Sequence, residues 1–203
     1  MSRPAYDPAR RRSIEAEIRA KALDLFAVHG YRSVSMRAIA RELGWSATAL
    51  YRYFDNKEAL LAAIRADGFV QIQIILSTVR VQARSAFEAA EMAMKGYVNF
   101  ALNSSALYQL MYELDQGAIA AVHDVVESRQ LAFNEAIGLS NDVLREMGKT
   151  GDATEMAHLL WLNAHGLAAL AVANQLDLGK KLDDLLEPAI NALLRGLGRE
   201  PTT

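Results

Sequence analysis

The sequence predicts an all-α protein of about nine helices, an N-terminal three-helix unit followed by a larger helical one, and three observations carry that expectation. Apolar residues recur with a period near 3.6 along most of the chain, the pattern of a helix with one buried stripe. Alternating β-branched runs bounded by paired turn residues are nearly absent, which leaves no strand to predict. Only four prolines punctuate 203 residues, of which 52% are apolar, enough for one sizeable core or two small ones.

The first helix is expected over about 13–29, where Ile14, Ile18, Ala22, Leu25 and Phe26 share a face and Gly30 suits the left-handed position after a helix end. Ser35 can cap a short second helix with Ile39, Ala40 and Leu43 inward, Gly44 breaks it, and Ser46 caps a third over about 46–53. Two short helices with a three-residue break containing glycine form a helix-turn-helix. A long fourth helix starts at Asp55 or Asn56 and carries Leu60, Leu61, Ile64, Ile72, Ile75, Leu76 and Val79 on one side, a connector by its length. Further helices are expected over about 85–102, 105–114, 117–147, 152–176 and 183–197, with Gly138 and Ser140 as points where the long one can be interrupted. The loops Gly148 to Gly151 and Asp177 to Lys181 separate helices rather than domains, so the division falls at residues 1–60 and 61–203.

Charge supports the same division. The net charge of −2 combines 11 Lys/Arg against 7 Asp/Glu in residues 1–60 with 11 against 17 in residues 61–203. A basic first part fits a polyanion, although an imbalance of this size is also common on a solvated helix surface. Cysteine is absent, which excludes disulfides, thiolate metal sites and thiol redox chemistry. Met1, Ser2, Arg3 and Pro4 run into charge without an apolar core, and apolar stretches such as Gly166 to Ala173 fall short of the roughly 18 residues of a membrane span. Neither export nor insertion is expected, and a cytoplasmic location is.

The stretch SVSMRAIARELGWSATALYRYFDNKEALL, Ser33 to Leu61, resembles the DNA-binding signature of the TetR family: Ile39-Ala40, Leu43-Gly44, Leu50-Tyr51, Tyr53-Phe54, and Lys57 opening helix four. The resemblance covers about the first 60 residues. Further along, Trp161 followed after three residues by His165-Gly166 resembles the WHG class of regulatory domain within that family. The resemblance implies a transcriptional regulator that is not an enzyme, binding a palindromic duplex as a homodimer and answering to a small-molecule effector, with no cofactor and no metal. Repression relieved by an apolar or amphipathic ligand is the family's usual habit.

Physical chemistry gives its own account of the motif. A lysine in the first turn of a helix opposes the macrodipole, and an anion bound at that N-terminus would explain Lys57, as would plain solvation. Tyr51 and Tyr53 are two apart and point different ways, so at least one phenol is free to reach phosphate. The resemblance implies that both do so, with Leu50 and Phe54 packed against Ile39 and Phe26. Arg52 faces phosphate or solvent. Base reading falls to the start of helix three, at Ser46, Ala47 and Thr48, with Ser35 and Arg37 contributing from helix two. Short side chains there offer no bidentate base contact, which shifts weight to Thr48, a thymine methyl, Arg37 or DNA shape. Trp45 packs under the turn or touches DNA, and Arg10, Arg11 and Arg12 form either a basic arm or a solvated tail ahead of helix one.

Two other classes compete. Glu155 and His158 make half of a di-iron carboxylate motif, but no other histidine has a glutamate three residues before it. An architectural DNA-binding protein without a ligand is the second, and the large adaptable residues of the second part speak against it. Among these, Tyr97, Phe100, Tyr108, Met111, Trp161 and His165 are the candidate ligand residues, His165 being either a polar anchor, as Asn163 also is, or a satisfied core histidine. The last two helices carry leucines on more than one face (Leu159, Leu160, Leu162, Leu167, Leu170; Leu182, Leu185, Leu186, Ile190, Leu193, Leu194, Leu197), a surplus that needs a partner. The resemblance implies a two-fold four-helix bundle of those helices.

Overall fold

Asp7 starts the first helix well ahead of the apolar periodicity, its Oδ1 accepting from the Ala9 amide at 3.0 Å with Pro8 at the first helical position. The computed structural model describes residues 7–112, 123–176 and 179–197. Helix α1 is Pro8–His29, so Arg10, Arg11 and Arg12 lie inside it rather than on an arm before it. The periodicity begins only at Ile14 because the first turns bury nothing; Ile18, Ala22 and Phe26 are the buried residues. Gly30, at φ +77°, ends the helix by donating to the Phe26 carbonyl at 2.9 Å.

A 3-10 turn, Tyr31–Ser33, leads into α2, Met36–Glu42, capped by the Ser35 hydroxyl, which accepts from the Ala38 amide at 3.2 Å. Gly44 at φ +71° makes the turn, and Ser46 caps α3, Ala47–Leu50, by accepting from the Ala49 amide at 3.2 Å. The third helix is shorter than the expected 46–53: Tyr51 to Tyr53 continue as a turn that still carries Phe54 down onto the Leu50 carbonyl, at 3.2 Å. Leu50, Phe54, Ile39, Ala40, Ile18, Ala22 and Phe26 close one apolar cluster with Leu60, Leu61 and Ile64.

Those last three belong to α4, Lys57–Gln82, capped by Asn56. At 26 residues α4 is about 39 Å long and runs from this head into the body of the protein. The sequence pattern of short apolar stretches understated it: an 18-residue window has a mean hydropathy of 1.6, because the rod is apolar toward the head at one end and toward the body at the other. The body adds α5 (Ala86–Asn103), α6 (Ser105–Tyr112), α7 (His123–Glu146), α8 (Ala153–Val172) and α9 (Leu182–Leu197). Helix α7 lies along α4, α8 packs on α5 and α7, and α9 covers α8 and α5.

Helix α7 is not interrupted at Gly138 or Ser140. Gly138 instead makes room for Arg80 of α4, whose Nη1 lies 2.7 Å from where a Cβ would stand. Arg80 pairs there with Asp142 at 2.8 Å and Glu135 at 3.1 Å, locking α4 to α7. Helix α8 stops at Val172, with Asn174 at φ +53°, short of the expected 176. Residues 113–122 of the expected helices, residues 177 and 178 of the expected loop, and the N-terminal Met1 to Pro4 lie outside the described residues.

Candidate nucleic-acid interface and ligand cavity

The head presents one polar face built by its two short helices. Ser35, Arg37, Ser46, Thr48, Tyr51 and Arg52 are exposed on it, Ala47 is half-buried, and Tyr51 leaves 47% of its surface open although it is aromatic. Tyr53 turns the other way, as the spacing requires: its ring leans on Trp45, centroids 5.9 Å apart, and the Arg11 guanidinium sits 5.4 Å above it. Trp45 therefore packs under the turn. Arg11 also pairs with Glu15 at 2.7 Å and reaches the Arg52 carbonyl at 3.4 Å, tying the first turn of α1 to the end of α3.

Lys57 has a local reason for its place at a helix N-terminus. Its ammonium donates to the carbonyls of Tyr31 at 2.9 Å, Val34 at 3.0 Å and Arg32 at 3.5 Å, and lies 4.2 Å from the Tyr31 ring centroid. The three carbonyls offset the dipole that otherwise disfavours a cation there. Tyr31 in turn stands edge-on to Phe26 at 5.2 Å, so the lysine clamps the 3-10 turn to the head's core.

The body holds a partly open cavity of about 500 Å³, within the range of small-molecule sites. Phe69, Ile72, Ile75 and Leu76 of α4 form one wall, Met94 and Tyr97 of α5 another, and Ala132, Phe133, Ala136 and Leu139 of α7 with Leu160 and Trp161 of α8 the rest. Of the six residues predicted for a ligand site, Tyr97, Met111 and Trp161 line this space. Phe100 does not: it is a buried core residue of α5. Tyr108 and His165 stand behind the wall. Sequence reasoning missed the α4 wall, which reads as an ordinary buried face, and as ligand residues it passed over Arg129, Gln130 and His158, which the cavity also exposes.

Behind Tyr97 is a hydrogen-bonded aromatic cluster. The Trp161 indole N–H donates to the Tyr97 hydroxyl at 3.3 Å, which stands 3.0 Å from the Tyr112 hydroxyl and 2.9 Å from His165 Nδ1; the Tyr108 hydroxyl is 3.0 Å from the same nitrogen. Nδ1 lies between two phenol oxygens, either of which can donate to it or accept from it, so the neutral imidazole is satisfied there. Burial favours that form by pulling the His165 pKa below its usual value. Burial also holds the three phenols protonated, Tyr108 pushed up to about 12, Tyr97 and Tyr112 raised as well. The cluster is thus a set of fixed neutral dipoles. His165 is a satisfied interior histidine in this arrangement, while Asn163 carries a buried Oδ1 with no partner among the described residues.

The seam between head and cavity is Arg65 of α4, 2% exposed, whose Nε donates to the Leu110 carbonyl of α6 at 2.7 Å. One turn on, Gly68 lets Met111 of α6 lie against the backbone: a Cβ would meet its Sδ at 2.3 Å. On the far side of α8, Leu159, Leu162 and Leu170 are 39%, 61% and 46% exposed, with Gly166 open between them. Glu155 and His158 do not converge on a metal: His158 Nδ1 donates to the Thr154 carbonyl at 2.8 Å, its ring lies 4.5 Å from Phe133, and no cluster of three metal-ligating side chains stands among the described residues.

Comparison with known proteins gives the following. Residues 18–64 match the bacterial regulatory proteins of the tetR family, and residues 91–193 match a C-terminal domain described as tetracyclin repressor-like. A Mycobacterium tuberculosis protein named as a mycofactocin biosynthesis transcriptional regulator, MftR, is 35% identical over 78 residues, which span 37% of this chain and 39% of that relative. A Rhodococcus sp. RHA1 protein of unknown function superposes with a TM-score of 0.81 at 27% identity, covering 98% of this chain and 100% of the other. The fatty acid degradation regulator FadR of Bacillus halodurans shares the fold, with a TM-score of 0.71 at 19% identity over 89% of this chain and 94% of its own.

Proposed function

Because this chain belongs to the TetR family of bacterial regulatory proteins and is a DNA-binding transcriptional regulator, not an enzyme, we propose that it represses from a palindromic operator and is released by a small apolar or amphipathic ligand held in the body cavity. The observation that carries this reading is the continuity of α4. Its first turns pack into the helix-turn-helix core through Leu60, Leu61 and Ile64, and its middle forms the cavity wall through Phe69, Ile72, Ile75 and Leu76. A ligand that displaces the wall must move the head.

On the DNA side, Ser46, Ala47 and Thr48 at the start of α3 read bases, Arg37 and Ser35 flank them, and Tyr51 and Arg52 hold phosphates. Tyr53 and Lys57 act from behind the face, one bracing Trp45 and the other clamping the 3-10 turn. That leaves the phosphate at the start of α4 to the backbone amides of its first turn. Residues 1–60 are then the reading unit and residues 61–203 the sensing unit, at work in the cytoplasm where the DNA is. The exposed stripe Leu159, Leu162, Gly166, Leu170 pairs with the same stripe of a second copy, glycine at the crossing, α9 beside it. The dimer sets two recognition helices one DNA turn, about 34–36 Å, apart.

Selection of duplexes from a random pool by the purified protein tests this. A two-fold symmetric site whose affinity falls steeply with salt is expected; a site without a palindrome would overturn the dimeric reading.

A further inference from the structure

The cavity wall is chemically lopsided. Among the described residues its lining holds no aspartate and no glutamate, one arginine, Arg129, and beside it Gln130 and His158; the other described residues are apolar or aromatic. Arg129 lies on α7 one turn before Ala132 and Phe133, so the cation caps one end of an otherwise apolar space.

Two features set Arg129 apart from an ordinary surface arginine. Its neighbours one turn away on α7 are Val125, Val126, Ala132 and Phe133, none of them a carboxylate. Arg11, Arg19, Arg80, Arg84 and Arg145 each hold an ion pair with an acidic side chain, whereas Arg129 holds none among the described residues. The second is its company. It shares the lining with Tyr112, Gln130 and His158, so the cation stands among polar side chains. The donors for an anion there are Arg129 and the Gln130 amide, since His158 gives its Nδ1 proton to the Thr154 carbonyl and its Nε2 accepts.

We propose that the effector is an amphipathic monoanion, a carboxylate on an apolar body of about 20 non-hydrogen atoms, whose carboxylate is held by Arg129 with the Gln130 amide beside it. The size follows from filling about 500 Å³ at interior packing density. The sign follows from the described lining: an anion finds the one charged partner there, a cation meets repulsion, and a neutral tail fills the space without using the guanidinium. The inference rests on the cavity being the effector site.

The test uses the full-length protein and two matched probe series, straight-chain carboxylates and the corresponding primary alcohols from eight to sixteen carbons, titrated by calorimetry below their aggregation limits. At equal length the carboxylate is expected to bind the wild type at least tenfold more tightly than the alcohol. Arg129→Met should erase that preference while leaving alcohol affinity within twofold, and Arg129→Lys should retain most of it. Equal affinities in the wild type, or a preference that survives in Arg129→Met, would overturn the anionic class while leaving the cavity in place. Ala136→Phe, which fills the cavity from α7, tests the underlying reading separately. Binding that is unchanged by it, or no binding by any member of either series, overturns the cavity as the effector site and the inference with it.

Discussion

The two ends of α4 are packed differently. Around Leu60, Leu61 and Ile64 the head is closed: three side-chain caps at Ser35, Ser46 and Asn56, the Lys57 clamp, and an apolar cluster whose central residues, Ile39 and Leu50, are fully buried. Around Phe69 to Leu76 the same helix faces a space of about 500 Å³. Under the proposed function, the part that presents side chains to a duplex of fixed pitch is over-determined, and the part that accepts a guest is left under-packed. Coupling then resides in the one rod that belongs to both.

The largest expected effect separates the two packings. Leu50→Ala in the head should cost about 2–5 kcal/mol, since the closed cluster cannot collapse onto the void. Ile75→Ala, half-buried on the cavity wall, should cost about 1–2 kcal/mol, because its side chain already faces open space and less contact is lost. Urea unfolding followed by far-ultraviolet circular dichroism measures both. Equal losses would mean that the cavity wall is as tightly packed as the head.

The seam comes next. Arg65→Met leaves the buried Leu110 carbonyl without its donor and should destabilise the protein by about 1–3 kcal/mol. Its more telling consequence is for communication, since the Arg65 contact joins α4 to the helix that carries Met111 into the cavity wall. If ligand and operator are coupled by about 1–3 kcal/mol, each weakens the other by the same factor. Calorimetric titration of a cavity ligand into free and operator-bound protein should find that factor in the wild type and a factor nearer one in Arg65→Met. An unchanged factor would move the coupling elsewhere.

The helix-turn-helix was legible because its signals are local: a glycine in the break, serines at both caps, apolar residues at helical spacing. Its starting boundary was not, since Asp7 and Pro8 open α1 before anything is buried. The cavity was half legible. Tyr97, Met111 and Trp161 stand out as large residues in helices, but Phe69 and Ile72 are indistinguishable in sequence from any core face, and only the placement of α7 along α4 leaves a gap beside them. Lys57 shows a limit of the opposite kind. Its conflict with the macrodipole was visible and pointed to an anion or to plain solvation, whereas its partners are backbone carbonyls 23 to 26 residues away, which no side-chain pattern records.

On the DNA face the effects are smaller and distinguish reading from bracing. Thr48→Ala should cost about 1 kcal/mol at one base position and little elsewhere. Lys57→Met should lower the thermal midpoint of the head and weaken binding to every duplex alike, without changing the salt slope, since its ammonium faces carbonyls rather than phosphate. A flattened salt slope in Lys57→Met would restore the lysine as a phosphate ligand.

The smallest effect is a pH dependence confined to the body. Burial lowers the His165 pKa in the folded protein below the ordinary 6.5, so near and below that pH the unfolded chain binds more protons than the native one. The neutral imidazole's contribution is therefore complete above pH 6.5 and is lost as the pH falls toward the depressed native value. His165→Gln has no such proton to take up and should flatten that part of the stability profile. The two tryptophans allow the regions to be followed apart: Trp161→Phe leaves Trp45 to report the head, and Trp45→Phe leaves Trp161, in contact with the cluster itself, to report the body. Between pH 7 and 5 the Trp161 signal should lose denaturant resistance in the protein with His165 and keep it in His165→Gln. An equal loss in both would assign the acid sensitivity to another group and leave His165 as packing alone.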